Sequence, residues 1–496
     1  MQVKRYDGFL IIVSIFSVFL VLLALLLNPA KSLEFANALF YKLTHSFGSL
    51  IQFFEFICVV FVAYLAFSKI GKIRLGDEKN QYSNLSWIFM FICAGLGSAT
   101  MYWAFMEWAY YYISPGLNIA SLSKDSLRAS TSFVFFHWGI TPWAVYALAS
   151  IAMCYHFYIN KNKNLKLSSL IASILNIKES EFLKKLIDVI FLFSTFGGLI
   201  LTTTLSIVTI SAGFAGIFNI SDGFYLKFIL LTLITAVFTI SSFVGLSSGM
   251  AKLAKISCIL CFVFALLVLI LGDSIFIINN TINSIGMFFS NYVQMSLFND
   301  ITQESSFNYD WTVFYWLYWI TYTPAVSIFV TKISSGRTIR QVIFGLVLGG
   351  CVGTWFFFGC LSSYAIDIFN NNTVNIVEFL QNNQGEVAVL ALIKTLPFGN
   401  AFAIFYFVLM MVFLASHMDA TAFTISSVST KIDSENPSKY LKVFWCIMLG
   451  LIPLAMLYIN ADLNTLKVAV CLSAAPFLII LAISFYGLIK WIKEIK

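Results

Sequence analysis

The chain has 496 residues, 60% of them hydrophobic and only 11% charged, with a formal net charge of +7. Soluble proteins carry about a quarter charged residues, so this composition excludes a water-soluble globular enzyme and places the chain in a bilayer. A basic excess on such a chain meets an anionic inner leaflet and not a nucleic acid.

A basic flank (Lys4, Arg5) precedes an apolar run from Phe9 to Leu27. That run is long for a signal-peptide core and is expected to stay as a membrane helix. Further apolar stretches of spanning length lie near 49–68, 86–113, 131–158, 186–218, 226–245, 254–278, 310–333, 340–366, 399–429, 440–459 and 466–489. The expected fold class is an all-α polytopic membrane protein with twelve transmembrane helices. Segments 279–298 and 372–396 are too polar to span. Their helical spacing of apolar residues reads as amphipathic helices along a surface. With the N-terminus cytoplasmic, 23 of the 30 Lys and Arg residues fall in inside segments. The positive-inside rule then puts both termini in the cytoplasm of a plasma (inner) membrane protein.

Four spans carry unusual chemistry. The third contains "CAGLGSATMYWAFMEWAYYY", with small residues Gly95, Gly97, Ser98 and Ala99 at mid-depth. Two readings stay open: close helix packing through small residues, or an unwound turn whose free backbone groups line a site. Glu107, a costly carboxylate within the span, adds weight to function and equally allows a structural ion pair. The fourth span contains "FFHWGITPWAVY". Trp143 and Tyr146, three apart, share a helix face. Trp138, a further five back, joins them if the helix bends at Gly139 or Pro142. The eighth contains "WTVFYWLYWITYTP", where rings run well into the span instead of forming a belt at one end. Pro324 is expected to kink it. The tenth contains "FLASHMDATAFTISS", rich in side-chain oxygens that suit a hard cation such as Na⁺. His417 and Asp419 there read equally as a structural pair or a proton relay. "TTTLS" (Thr202 to Ser206) in the fifth span offers further hydroxyls, or bonds back to its own helix.

Several aromatic faces together attract a quaternary ammonium group through the ring quadrupole. Such a cage needs no acidic partner, which suits a substrate without net charge. Other chemistry is poorly supported. Cys258 and Cys261 form C-x-x-C without a nearby partner His or Cys, and behave as small hydrophobes at lipid depth. His137, His156, His417 and Asp419 show no metal or haem spacing. No enzyme activity, metal or cofactor is expected.

These stretches resemble the betaine/carnitine/choline transporter family from the third span to the twelfth. "WTVFYWLYWITYTPAVSIFVTKISSGRTIRQ" (Trp311 to Gln341) is the most specific match, followed by "FFHWGITPWAVYALA" and the glycine-rich third span. The resemblance implies two inverted five-helix repeats, a LeuT-like core, in 86–278 and 310–489. A two-helix peripheral part (1–85), an amphipathic connector (279–309) and a short cytoplasmic tail (490–496) complete the organisation. It also implies breaks in the first helix of each repeat, the third and eighth spans.

By the same resemblance Trp138, Trp143, Tyr146 and Trp319 form an ammonium cage. Tyr318, Tyr322 and Tyr110 are further substrate contacts, with Gly95 and Gly97 supplying backbone. Leu96, Ser416, His417 and Asp419 are the candidates for a coupling-ion or proton site. Sodium-coupled members have Thr-Ser where this chain has Ser416 and His417, and imidazole is a poor Na⁺ ligand. Coupling to Na⁺, to H⁺ or to substrate exchange stays open. The implied protein is a homotrimeric secondary transporter of a quaternary ammonium zwitterion. An amino-acid or other amine carrier on the same fold is the alternative. Only about seven residues follow the last span, so regulation through a long charged tail is not expected.

Overall fold

Asn28 ends one helix and begins the next. Its side chain accepts from the Lys31 N–H, and Pro29 takes the first helical position, where its missing N–H costs nothing. α1 (Gly8–Leu27) stops there and α2 (Pro29–Phe67) starts. At about 1.5 Å per residue, the 39 residues of α2 far exceed a hydrocarbon core of about 30 Å. The span expected at 49–68 is therefore the C-terminal half of a longer helix. This computed structural model describes residues 6–177, 180–244, 247–302, 304–430 and 437–494. Lys4, Arg5, Lys178, Lys431 and Lys496, five of the basic residues behind the expected orientation, lie outside them, as does the end of the 490–496 tail.

The third span is two helices, α3 (Asn84–Gly95) and α4 (Ser98–Ile113), bent by 71°. The fourth is also divided, into α5 (Lys124–His137) and α6 (Ile140–Cys154). α5 starts before the expected residue 131 because Ser123 and Ser126 form a capping box that nucleates it. α7 (Leu167–Leu175) is short, and α8 (Glu181–Phe218), α9 (Phe224–Val244) and α10 (Ser247–Leu271) follow. α11 (Ser274–Leu297) turns 116° away from the last part of α10. It is the expected amphipathic helix, begun a few residues early by the Asp273 cap.

α12 (Phe314–Ile333) continues a π turn at Asn308–Val313. It runs unbroken through Pro324, so the expected break in the eighth span does not form. Thr321, Thr323 and Ser327 donate to the carbonyls of Tyr318, Trp319 and Pro324. Hydroxyls of this kind bond back to their own helix. α13 (Ile339–Phe344) and α14 (Gly350–Asn370) are joined by a π turn at Gly345–Gly349. The amphipathic segment expected at 372–396 is two short helices, α15 (Ile376–Gln381) and α16 (Gly385–Lys394), because Asn383 adopts positive φ between them. α17 (Gly399–Val428), α18 (Lys439–Tyr458) and α19 (Leu463–Glu494) complete the chain. Among the described residues ten helices have the length and hydropathy to cross a membrane, or up to twelve if each bent pair is one span.

The packing pairs reveal the internal symmetry. α8 packs on α19 and α10 on α17; α6 packs on α12 and α4 on α14; α9 packs on α18. Exchanging the set α3/α4, α5/α6, α8, α9, α10 with the set α12, α13/α14, α17, α18, α19 turns each pair into its counterpart. Five spans is an odd number, so the second set threads the membrane in the opposite sense. These are two inverted five-helix repeats, with α1 and α2 outside them.

Close helix approach depends on small residues where side chains interlock. A Cβ on Gly213 of α8 would stand 2.3 Å from the Phe407 ring of α17. Gly213→Ala is expected to destabilise the protein by about 1–3 kcal/mol through overpacking. Gly286→Ala, which meets open space, should not. Thermal unfolding of the two purified variants checks the contrast.

Candidate binding site between the helix breaks

The site begins with two interruptions. At the first, Leu96 (φ −96°, ψ 130°) and Gly97 (φ −130°, ψ 175°) are extended between α3 and α4. The Ser98 and Ala99 N–H groups at the start of α4 thus lack intrahelical partners, while that of Thr100 donates to the Gly97 carbonyl at 3.0 Å. The two readings of the small residues apply to different glycines. Gly95 is a packing glycine: a Cβ there would lie 2.4 Å from the Trp143 ring. Gly97 lies in the unwound turn and faces His417, whose Nδ1 would be 3.7 Å from such a Cβ.

At the second, α5 ends at His137 and α6 starts at Ile140. Pro142 falls in the first turn of α6, where no N–H is required. The carbonyls freed at the end of α5 are claimed by side chains of other spans. Trp319 Nε1 donates to the His137 carbonyl at 3.1 Å, Thr354 Oγ1 to that of Trp138 at 2.7 Å, and Trp355 Nε1 to that of Phe135 at 2.9 Å. Gly139 is required here, since a Cβ would sit 2.2 Å from the Phe135 oxygen. Thr354 and Trp355 carried no signal in the sequence, because their partners are orphaned carbonyls on another helix.

Trp319 is the hub of the rings. Its centroid lies 5.3 Å from Trp138, 5.5 Å from Trp143 and 4.9 Å from Tyr146, each at a steep interplanar angle. Edge-to-face packing of this kind is the favoured arrangement for aromatic pairs. Tyr318 and Tyr322 sit one turn apart on the same helix and are tied to α8. Tyr322 donates to the Gly198 carbonyl at 2.8 Å, Thr202 to the Tyr322 oxygen at 2.6 Å, and Tyr318 to Thr202 at 2.8 Å, a chain in which each hydroxyl donates once.

A cavity of about 40 Å³ lies between these rings and the first break. Gly95, Leu96, Gly97, Trp138, Tyr146, Tyr318, Trp319, Tyr322 and His417 line it, with Thr100 and Thr202. Trp143 stands behind, its indole wedged between Gly95 and Gly350. Tyr110 is elsewhere. It bonds Tyr102 at 2.7 Å and lines a separate cavity of about 560 Å³ on the side where α4 and α8 end and α19 begins. There Lys467 places its ammonium 3.8 Å over Trp311.

The tenth-span candidates also part company. His417 faces the cavity, edge-on to Tyr322 at 5.7 Å. Ser416 bonds back to the Phe413 carbonyl. Asp419 turns to α9 and accepts from Ser242, so it does not pair with His417. Beneath the rings lies a buried polar chain: Glu107, Tyr111 and His137 are fully buried and linked to Trp138. Chemically, the cavity offers aromatic faces to a cation and the N-terminus of α4 to an anionic group.

An inverted-repeat helical core with interrupted spans at a buried aromatic cavity defines a multi-pass membrane carrier. The family model for betaine/carnitine/choline family transporters matches residues 9–496, and the chain belongs to that family of secondary transporters. It is 46% identical over 435 residues to the transporter YeaV of Escherichia coli strain K12, covering 87% of this chain and 90% of that protein. It is 41% identical over 490 residues to a carnitine transporter of Acinetobacter baumannii, covering 98% and 89%. Its fold is shared with a Na⁺-coupled sialic acid symporter solved substrate-bound and outward-open, with TM-score 0.50, 14% identity, and 87% and 84% of the two chains covered.

Proposed function

We propose that the protein is a secondary active transporter of a zwitterionic quaternary ammonium solute, such as glycine betaine or carnitine. It works by alternating access in the inner membrane, as a homotrimer with both termini cytoplasmic. The observation that carries this reading is the meeting of Trp138, Tyr146, Tyr318, Trp319 and Tyr322 on one cavity, opposite the unwound turn at Gly97. Each desolvated ring face contributes about 0.5–2 kcal/mol to holding a cation. The free N–H groups at the start of α4 receive the carboxylate of the same molecule. A cation cage and an anion site side by side fit a zwitterion.

The cavity of about 40 Å³ compares with about 10–15 Å³ for one water. It holds a few waters and not a methylated amino acid. Loading therefore requires the walls to separate, and the breaks at Leu96–Gly97 and Trp138–Gly139 are the joints at which one bundle moves against the other. Uptake of radiolabelled glycine betaine, carnitine and choline into proteoliposomes, with counterflow, tests the reading. Saturable flux of a methylated substrate is expected. Equal competition by unmethylated amino acids would instead support an amine carrier.

His417 occupies the cavity wall facing Gly97. On this reading its imidazole takes the place of a sodium ligand, and transport is sodium-independent, driven by exchange or a proton. Wild-type uptake is expected to be unchanged when Na⁺ is replaced by choline-free K⁺ buffer. His417→Ser should acquire sodium dependence. Sodium-dependent wild-type uptake would refute the assignment.

A further inference from the structure

We infer that Glu107 is the positioning residue for the Trp138 wall of the cage, fixing through the indole N–H which face of the ring the substrate ammonium meets. This rests on the cage reading above. Trp138 Nε1 donates to Glu107 Oε2 at 2.7 Å, and Tyr111 donates to Oε1 at 2.6 Å. Both partners and the carboxylate are buried, and Glu107 is fully so.

The remaining hydrogen bonds follow from counting protons. When the carboxylate is ionised it only accepts, and the Tyr111 proton is then committed to Glu107. The Tyr111 oxygen then accepts from His137 Nδ1 at 2.7 Å. His137 Nε2 is left with a lone pair, which accepts from Thr312 Oγ1 at 3.2 Å. In that state Glu107, Tyr111 and His137 each have partners with a neutral His137, whose ring stacks on Tyr315 at 4.7 Å and 11°. His137 also gives its carbonyl to Trp319 Nε1. The two indoles that meet at 5.3 Å are thus both anchored to one buried chain, Trp138 through Glu107 and Trp319 through the His137 backbone.

Two consequences separate positioning from mere packing. A cation binds the ring face and is repelled by the ring edge, so an indole released from Glu107 presents a mixture of both. An oxygen accepting the N–H also pushes electron density into the ring, which strengthens its attraction for a cation. Glu107→Gln keeps the shape and replaces one of the two side-chain oxygens by an N–H₂ donor.

The test is uptake kinetics with radiolabelled carnitine and glycine betaine for Glu107→Gln, Tyr111→Phe, Trp138→Phe and the double variant Glu107→Gln/Trp138→Phe. Glu107→Gln is expected to raise KM by about tenfold, within the range of a cation–π contact, while maximal rate changes by less than about twofold. Tyr111→Phe, which loosens one carboxylate oxygen, should raise KM by a smaller factor. The double variant should be no worse than Trp138→Phe, since Glu107 acts through that N–H. An unchanged KM in Glu107→Gln, or multiplied losses in the double variant, overturns the inference. If Glu107→Gln fails to fold, an unchanged KM in Tyr111→Phe overturns it instead. If Trp138→Phe and Trp319→Ala both leave KM unchanged, the cage reading itself has failed, a separate result.

Discussion

Trp319→Ala is expected to raise the KM for a quaternary ammonium substrate by at least about thirtyfold. The ring is 3% exposed and packs against Trp138, Trp143 and Tyr146. Losing one desolvated cation–π face costs about 2 kcal/mol or more, and each 1.4 kcal/mol is about tenfold. The three neighbouring rings also lose the surface that orients them, which pushes the effect higher. Trp319→Phe keeps a face but loses the donor to the His137 carbonyl, so a smaller rise, about tenfold, is expected. Uptake kinetics and substrate quenching of tryptophan fluorescence measure both. Wild-type transport by Trp319→Ala would show that the cage is misassigned.

The second large effect comes from a residue with no polar chemistry. Two glycines face the six-membered ring of the Trp143 indole. A Cβ on Gly95 would stand 2.4 Å from its outer edge, and a Cβ on Gly350 would stand 2.3 Å from the edge fused to the pyrrole. Neither neighbour is a flexible side-chain tip, so the whole indole must move. Gly350→Ala is expected to cost about 1–3 kcal/mol of stability and to displace Trp143 into Trp319 and Tyr146, lowering transport by about tenfold or more. Gly350→Ala/Trp143→Phe, with a smaller ring, should recover part of both losses. Gly97→Ala is the control for stability alone, since Gly97 itself lines the cavity. Its φ of −130° is open to any residue, and its Cβ would meet His417 at an ordinary 3.7 Å. Thermal unfolding and uptake of the three variants decide whether the glycines serve the ring or the turn.

The membrane class was legible because hydropathy is local: about twenty apolar residues make a spanning helix whatever surrounds them. The breaks were partly legible. Gly139 and Pro142 pointed to the interruption beside Trp138, while the break expected in the eighth span is absent. The aromatic stretches announced that rings would gather, but not which ones would share a wall. Tyr110 lies in the "YYY" run close to the other rings in sequence, yet it lines a different cavity. Asp419 stands two residues from His417 and faces another helix.

By itself the sequence determined a helical membrane protein and the residue types available for a cation; its repeats were implied only through the family resemblance. Only the tertiary structure decided that Trp143 backs the site while Trp138, Tyr146 and Trp319 line it, and that Glu107 and His137 hold the indoles from behind. The reason is geometric. A residue's type and its helix are set along the chain, but the direction it faces is set by bends at Leu96–Gly97 and Trp138–Gly139, and those angles are fixed by side chains more than a hundred residues away.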